Sequence, residues 1–299
     1  MKAVIRVENL TKTFNRGQIR AVDNLNLEVF QGEIFGFLGP NGAGKTTTIR
    51  ILMDFISPTS GRASIFGMDC QKQGLKIKKD IGYLAGDVKL YEKYDGWYLT
   101  KFLANLNGGL YKKWVEELVQ RLEIDMDRKI DDLSKGNKQK MGLLQALSQK
   151  PKLLILDEPT GGLDPLMQIE FYKIVKEMKK EGTTIFMSSH VLSEVEKICD
   201  RAAILKDGKL AAVKSVEELG KAKTRRVNLY FKDKYNLNDF KLDKIEIKHQ
   251  SEKHLQLVIH GDINPLINVL NKYQLQDITF NEADLEEVFL KFYQREEKK

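Results

Sequence analysis

Cysteine is scarce: Cys70 and Cys199 are the only two in 299 residues. Their spacing fits neither a disulfide framework nor a Cys/His metal site, so no staple or structural metal is expected to hold the fold. Long apolar runs are missing too. The longest, such as residues 153–156, fall far short of the roughly 20 residues that a helix needs to cross a bilayer. The opening stretch "MKAVIRVENL" has no apolar segment like that of a signal peptide, and the expected compartment is the cytoplasm. A strong charge of one sign is also lacking. With 49 Lys and Arg against 42 Asp and Glu, the net +7 is spread along the chain. That suits a soluble surface with some attraction for phosphate or anionic lipid, and does not by itself point to nucleic acid. There is no internal repeat and no low-complexity linker. What is present is 42% apolar residues, enough for a sizeable core in one large domain or one plus a smaller one.

Three stretches differ in pattern. Residues 1 to about 85 alternate short strands ("IRVENL", "LNLEVF", "IFGFLG", "ASIFG") with turn residues, and a helix starts after Lys45. Residues 88–150 lack strand signals and read as a helical insertion, with Tyr91, Tyr94, Trp97 and Tyr98 near its front. From "KLLILD" to "RAAILKDG", buried strands alternate with helices over 166–180 and 191–199, as in a parallel sheet with crossover helices. The expectation is an α/β domain over 1–215, with a helical subdomain over about 88–150, and an accessory domain over 216–299. In the latter, strands at "RVNLYF", "KIEIK" and "HLQLVIH", a helix near 263–273 and a last helix from Asp284 read as a small α+β appendage.

The strongest chemical signal is "GPNGAGKTT": Gly39, Pro40, Asn41, Gly42, Ala43, Gly44, Lys45, Thr46 and Thr47. It has the phosphate-loop spacing and lies between an apolar strand and a helix, the context that such a loop requires. Glycines let backbone N–H groups converge on a phosphate, and the helix N-terminus adds partial positive charge. Lys45 would reach the β- and γ-phosphates, and the Thr46 hydroxyl would ligate Mg²⁺, a hard cation that takes oxygen.

A second signal lies far along the chain. "LLILDEP" puts Asp157 and Glu158 at the end of an apolar strand, where a parallel sheet delivers side chains to a nucleotide crevice. Asp157 would hold Mg²⁺ through its water shell while Glu158 polarises the attacking water. Either acid alone would read as a surface salt bridge. His190 closes the strand "TIFMSSH", where a neighbouring strand would bring it beside the γ-phosphate; its place at a strand end is what favours a role.

In "LSKGNKQK", Ser134 and Gly136 sit among Lys135, Lys138 and Lys140, just before the helix-spaced Met141, Leu144 and Leu147. A helix start of this kind can bind an anion, and it can equally be an N-cap serine on a solvated helix.

Together these stretches resemble the ATP-binding cassette ATPases that drive transporters, P-loop NTPases with a helical subdomain. The resemblance covers residues 1 to about 215 and rests on "GPNGAGKTT", "LSKGNKQ", "ILDEP", "GGLDP" and "SSH" in the family's order. It implies binding and hydrolysis of ATP with Mg²⁺, and adenine stacked on Phe14. It also implies a head-to-tail homodimer, or a dimer with a similar ATPase subunit. There Ser134 and Gly136 would close over the γ-phosphate of ATP held by the other chain, and Asp164 would lie at the contact. A separate integral-membrane permease would hold the chain at the inner face of the cell membrane and accept its work through ATP-dependent dimerisation. "GEIFGFLGPNGAGKTTT" and the ending "ADLEEVFLKFY" look like ATPase subunits of bacterial drug, lipid or polysaccharide exporters. The alternative is a soluble cassette ATPase acting on nucleic acid or the ribosome. Such relatives usually carry two fused cassettes or a long coiled-coil insertion, neither of which is visible, so no nucleic-acid partner is expected.

Two departures from the family pattern stand out. Lys135 replaces a glycine of many cassettes, and its side chain points either towards the nucleotide or away. Gly86, in "IGYLAGDVKLY", stands where glutamine or glutamate is usual. Either Asp87 takes that role after a register change, or the loop transmits motion without touching metal; neither residue is counted as catalytic. Of the aromatics at 91–98, about half are expected in ordinary packing and the rest lining a groove; the resemblance implies that this groove takes a short cytoplasmic helix of the membrane subunit. His249, His254 and His260 invite a metal reading. Alternation puts Leu255, Leu257 and Ile259 on one strand face and His254 and His260 on the other, and a solvated face is the expectation.

Overall fold

The computed structural model describes residues 2–106, 108–221 and 224–281. By its contacts the chain divides into Met1–Val213 and Lys214–Lys299. In the first unit, β1 (Ala3–Phe14), β2 (Ile19–Phe30) and β3 (Ile34–Leu38) precede α1 (Lys45–Leu52). Then come β4 (Ser60–Ile65), β5 (Met68–Asp69), a short α2 (Gly74–Lys78) that the sequence pattern did not signal, and β6 (Ile81–Leu84). The helical stretch holds α3 (Gly96–Leu106), α4 (Lys112–Arg121) and α5 (Lys135–Leu147). It is followed by β7 (Leu153–Asp157), α6 (Pro165–Lys180), β8 (Thr184–Ser189), α7 (Leu192–Ile198), β9 (Arg201–Lys206) and β10 (Lys209–Ser215).

Two sheets carry this unit. β2-β1-β4-β5 form an antiparallel one, and β10-β9-β3-β8-β7-β6 the other, in which β9, β3, β8, β7 and β6 run parallel. The parallel strands read as unbroken apolar runs because both faces are covered: every residue of β3, β7 and β8 is buried. Phe186 stacks on Phe35 with ring centroids 6.1 Å apart and tilts against Phe37 at 5.1 Å. Each such ring contributes roughly 1.5–3 kcal/mol by leaving water. In this order the C-terminal ends of β3, β7 and β8 lie side by side, which gathers the phosphate loop, Asp157 and His190 at one edge.

Arg121 fastens the helical stretch to the sheet domain. From α4 it donates to Glu170 at 2.7 Å and to Glu177 at 2.5 Å, both on α6. The Glu177 hydrogen bond, with that to Glu170, raises the guanidinium's affinity for its proton. Cys70 and Cys199 are free and buried. Burial pushes the Cys70 thiol up to about 12 and raises Cys199 as well, so both stay protonated packing residues.

The second unit opens with α8 (Val216–Lys221), followed by β11 (Thr224–Phe231), β12 (Ile245–Gln250), β13 (His254–His260), α9 (Asn264–Leu270) and β14 (Leu275–Asn281). Its antiparallel sheet has the order β12-β13-β11-β14. Val227, Leu229, Leu255, Leu257 and Ile259 form a buried face, with Phe240 and Leu266 packed on it. Strand β14 is an addition to the sequence reading, and α9 is shorter than the helix expected over 263–273. The helix from Asp284 and the "ADLEEVFLKFY" ending lie outside the described residues. His254 stacks on Tyr230 with centroids 4.6 Å apart, and His260 lies 3.8 Å from Glu246. Among the described residues no cluster of His, Cys, Asp and Glu could hold a metal ion.

Candidate functional site

The loop between β3 and α1 turns so tightly that Gly44 must adopt φ +100°, and a Cβ there would come within 2.4 Å of the Ala21 carbonyl oxygen. Lys45, the first residue of α1, is buried. Its ammonium donates to the carbonyls of Gly39 at 2.7 Å and Pro40 at 3.1 Å, which strap it across the loop. Thr46 is exposed in the first turn, while Thr48 is buried and returns its hydroxyl proton to the Gly44 carbonyl at 3.0 Å. Gly44→Ala should weaken ATP binding about tenfold or more. The wrong backbone region costs on the order of 1–3 kcal/mol, and about 1.4 kcal/mol is tenfold in affinity. Titration with a fluorescent ATP analogue measures it; unchanged affinity with an intact fold would contradict the loop geometry.

Strand β7 delivers the two carboxylates differently. Asp157 is buried and accepts the Ser188 hydroxyl proton on Oδ1 at 2.5 Å. Glu158 sits in the left-handed region at φ +50°, an uncommon place for a residue with a side chain. The Ser188 oxygen helps hold it there by accepting the Glu158 N–H at 3.1 Å. The turn leaves the Glu158 carboxylate partly exposed, with Oε1 3.3 Å from Lys45 Nζ and Oε2 2.6 Å from His190 Nδ1. A proton on that nitrogen is donated to the carboxylate, which fixes the orientation of both groups.

Lys45, Glu158 and His190, drawn from three separated stretches, therefore form one chain of contacts, and Ser188 ties Asp157 to it by bonding both the Asp157 carboxylate and the Glu158 N–H. The oxygen-only set of the Thr46 hydroxyl and the Asp157 carboxylate suits a hard divalent cation. Gly86 lies over Asp157, where a Cβ would come within 3.2 Å of Oδ2. The Asp87 side chain is exposed, 3.7 Å from Lys89. Backbone at Gly86, rather than the Asp87 carboxylate, is what lies beside Asp157.

Ser134 caps α5 by accepting the Asn137 N–H at 3.3 Å. Gly136 packs on the loop between β7 and α6, where a Cβ would meet the Gly162 carbonyl at 2.7 Å. Among the described contacts none joins Ser134 or Gly136 to the phosphate loop of the same chain. Asp164 caps α6, accepting from Met167 N–H at 3.0 Å. Phe14 ends β1 partly exposed, with the Lys12 ammonium 5.1 Å from its ring centre; no described contact ties it to the strand-end cluster.

A groove of about 1000 Å³ is lined by residues 86–94 with Leu133, Lys135, Lys138 and Gln139. Lys135 thus contributes to this groove. Tyr94 stacks on Tyr98 at 4.4 Å and Tyr98 on Phe102 at 6.5 Å, an exposed aromatic row at helical spacing, while Trp97 is half-buried. Sequence reasoning missed Ser188 and Glu194, and also Gln139, whose buried amide donates to the Pro159 carbonyl at 2.9 Å. Ser188 stood inside the quoted "SSH"; Glu194 had no local signal.

A family model described as ABC transporter matches residues 22–161. The chain is 35% identical over 302 residues to the bacitracin transport ATP-binding protein BcrA of Bacillus licheniformis, covering 97% of both chains. Among solved structures, an ATP-binding subunit of an ABC transporter aligns with a TM-score of 0.66 at 27% identity, over 72% of this chain and 91% of that one. A dimeric bacterial ABC transporter cassette, MJ0796, aligns with a TM-score of 0.66 at 25% identity, over 71% and 98%.

Proposed function

This chain belongs to the ATPase family of ABC transporters, subunits that bind and hydrolyse ATP, and from that premise we propose that it powers a separate membrane exporter through ATP-dependent pairing of two cassettes. The observation that carries this reading is the contact chain Lys45–Glu158–His190 at adjoining strand ends.

In the proposed reaction Gly39, Pro40, Asn41, Gly42, Ala43, Gly44, Lys45, Thr46 and Thr47 wrap the phosphates and Phe14 takes the adenine face. Lys45 neutralises phosphate charge. Glu158 draws a proton from the attacking water, with His190 holding the carboxylate in place, and general-base help of this kind is worth about 10²–10⁴ in rate. Thr46 and Asp157 are the residues that would hold Mg²⁺, which when bound stabilises charge on the phosphate oxygens. Ser134 and Gly136 would serve the nucleotide of the other cassette, because within one chain nothing described joins them to the phosphate loop.

The C-terminal unit supports the exporter reading, since similarity to a bacitracin transport protein runs through it. The exposed row Tyr94, Tyr98 and Phe102 and the adjoining groove offer a face for a cytoplasmic helix of the permease. No helix among the described residues is long and apolar enough to cross a membrane, so attachment to the inner face of the cell membrane would come through that partner.

A cassette acting on nucleic acid or the ribosome would show tight binding that weakens log-linearly with salt as counterions are released. Only weak binding is expected at physiological salt, measured by fluorescence anisotropy with RNA and duplex DNA. Submicromolar affinity that also stimulates ATP turnover would overturn the exporter reading.

A further inference from the structure

Glu194, in the first turn of α7, is a carboxylate only 8% exposed. Each of its oxygens is taken by a hydroxyl: Thr160 Oγ1 donates to Oε1 at 2.5 Å and Ser189 Oγ donates to Oε2 at 2.6 Å. No ion pair to Glu194 occurs among the described residues. A buried carboxylate without a cation is costly, and an apolar side chain of similar volume would fill the place at lower electrostatic cost. Packing alone therefore does not account for an acid here.

The two donors identify what it connects. Thr160 follows Glu158 and Pro159 in the loop leaving β7, and Ser189 is the last residue of β8, next to His190. Both are buried. With its proton committed to Glu194, the Ser189 oxygen accepts the Val191 N–H at 2.9 Å, which fixes the chain just past His190. On the other arm the Thr160 carbonyl accepts from Leu163 N–H at 3.1 Å and the Glu158 carbonyl from Gly161 N–H at 3.2 Å, closing the turn that keeps Glu158 at φ +50°.

We propose that Glu194 is a positioning residue for hydrolysis, clamping the loop after Glu158 to the residue before His190 so that the pair stays 2.6 Å apart. The proposal rests on the roles given above to Glu158 and His190. It acts on turnover and not on ATP capture. The phosphate loop meets this region through backbone pairing, Gly39 N–H to Ser189 C=O at 3.2 Å, which loss of the Glu194 side chain leaves in place.

The test compares Glu194→Ala, Glu194→Gln, Glu158→Gln and the double variant Glu158→Gln/Glu194→Ala in the full-length chain. Steady-state ATPase assays and binding of a fluorescent ATP analogue are the readouts. Displacing a reacting group by about 1 Å costs on the order of a hundredfold, so kcat of Glu194→Ala should fall roughly ten- to a hundredfold. Its KM and nucleotide affinity should stay within about twofold. Glu194→Gln should lose less, because its carbonyl still accepts one hydroxyl. The double variant should be no slower than Glu158→Gln alone, since the clamp works through Glu158. Wild-type kcat in Glu194→Ala, a fall in affinity matching the fall in kcat, or multiplied losses in the double variant would each overturn the proposal. If Glu194→Ala does not fold, Thr160→Val and Ser189→Ala each remove one arm; wild-type kcat in both overturns it equally. Normal Glu194→Ala beside an inactive Glu158→Gln sinks the clamp alone. Normal turnover in Glu158→Gln sinks the base assignment, and the clamp with it.

Discussion

Glu158→Gln should lower ATP turnover by about 10²–10⁴-fold while leaving ATP bound, the range expected on losing a general base. The amide keeps the size of the carboxylate and can still accept from His190, so the contact now at 2.6 Å survives. What disappears is the charge 3.3 Å from Lys45 and the capacity to take a proton from water. Removing that charge frees Lys45 from a competitor of phosphate, so affinity for ATP should hold or rise. With hydrolysis blocked, two cassettes paired over ATP have no route to separate, and gel filtration with ATP should show a dimer that ADP does not support. Single-turnover phosphate release is the decisive measurement. Turnover near the wild-type rate would mean that another group activates the water. Asp87 would have to swing in from its exposed position beside Lys89 to do so.

The parts of this site legible in the sequence are those whose constraint is local. The phosphate loop announces itself because strand, glycines, lysine and helix are contiguous between Ile34 and Leu52. Asp157 and Glu158 are legible because a run of four buried apolar residues, Leu153 to Leu156, leads directly into them. Contacts across the chain leave no such trace. Glu194 finds Thr160 from 34 residues away, and in sequence it is one more acid on a short helix. The need for glycine at 136 comes from the carbonyl of Gly162, and at 86 it is reinforced by the Asp157 carboxylate; neither neighbour lies close in sequence. Strand β14 escaped for a different reason. Gln276 and Asp277 interrupt its apolar positions, and a register shift opposite Tyr230 and Phe231 breaks the alternation on which strand reading depends.

Mixing two inactive variants should restore activity if "LSKGNKQK" works on a partner's nucleotide. One variant is Lys45→Ala, which removes the ammonium strapped across the phosphate loop. The other needs a lesion in the helix start that leaves its own chain folded. Gly136→Asp fails this requirement, because its Cβ would press on the Gly162 carbonyl at 2.7 Å. Ser134→Asp meets it. Aspartate caps a helix about as well as serine, so the hydrogen bond from Asn137 persists while a carboxylate now faces the incoming phosphate and repels it. Each homodimer then carries two damaged sites. In a mixed head-to-tail dimer both lesions fall in one composite site, and the other pairs an intact Lys45 with an intact Ser134. Random exchange makes about half the dimers mixed, each keeping one of two sites, so independent sites predict about a quarter of wild-type turnover. If the loop serves its own chain, every chain retains its lesion and mixing restores nothing. Trapped ATP supplies a readout that does not depend on the two sites firing in concert. Mixed dimers isolated through two different tags should hold about one nucleotide, and finding none in them would refute assembly of the site from two chains.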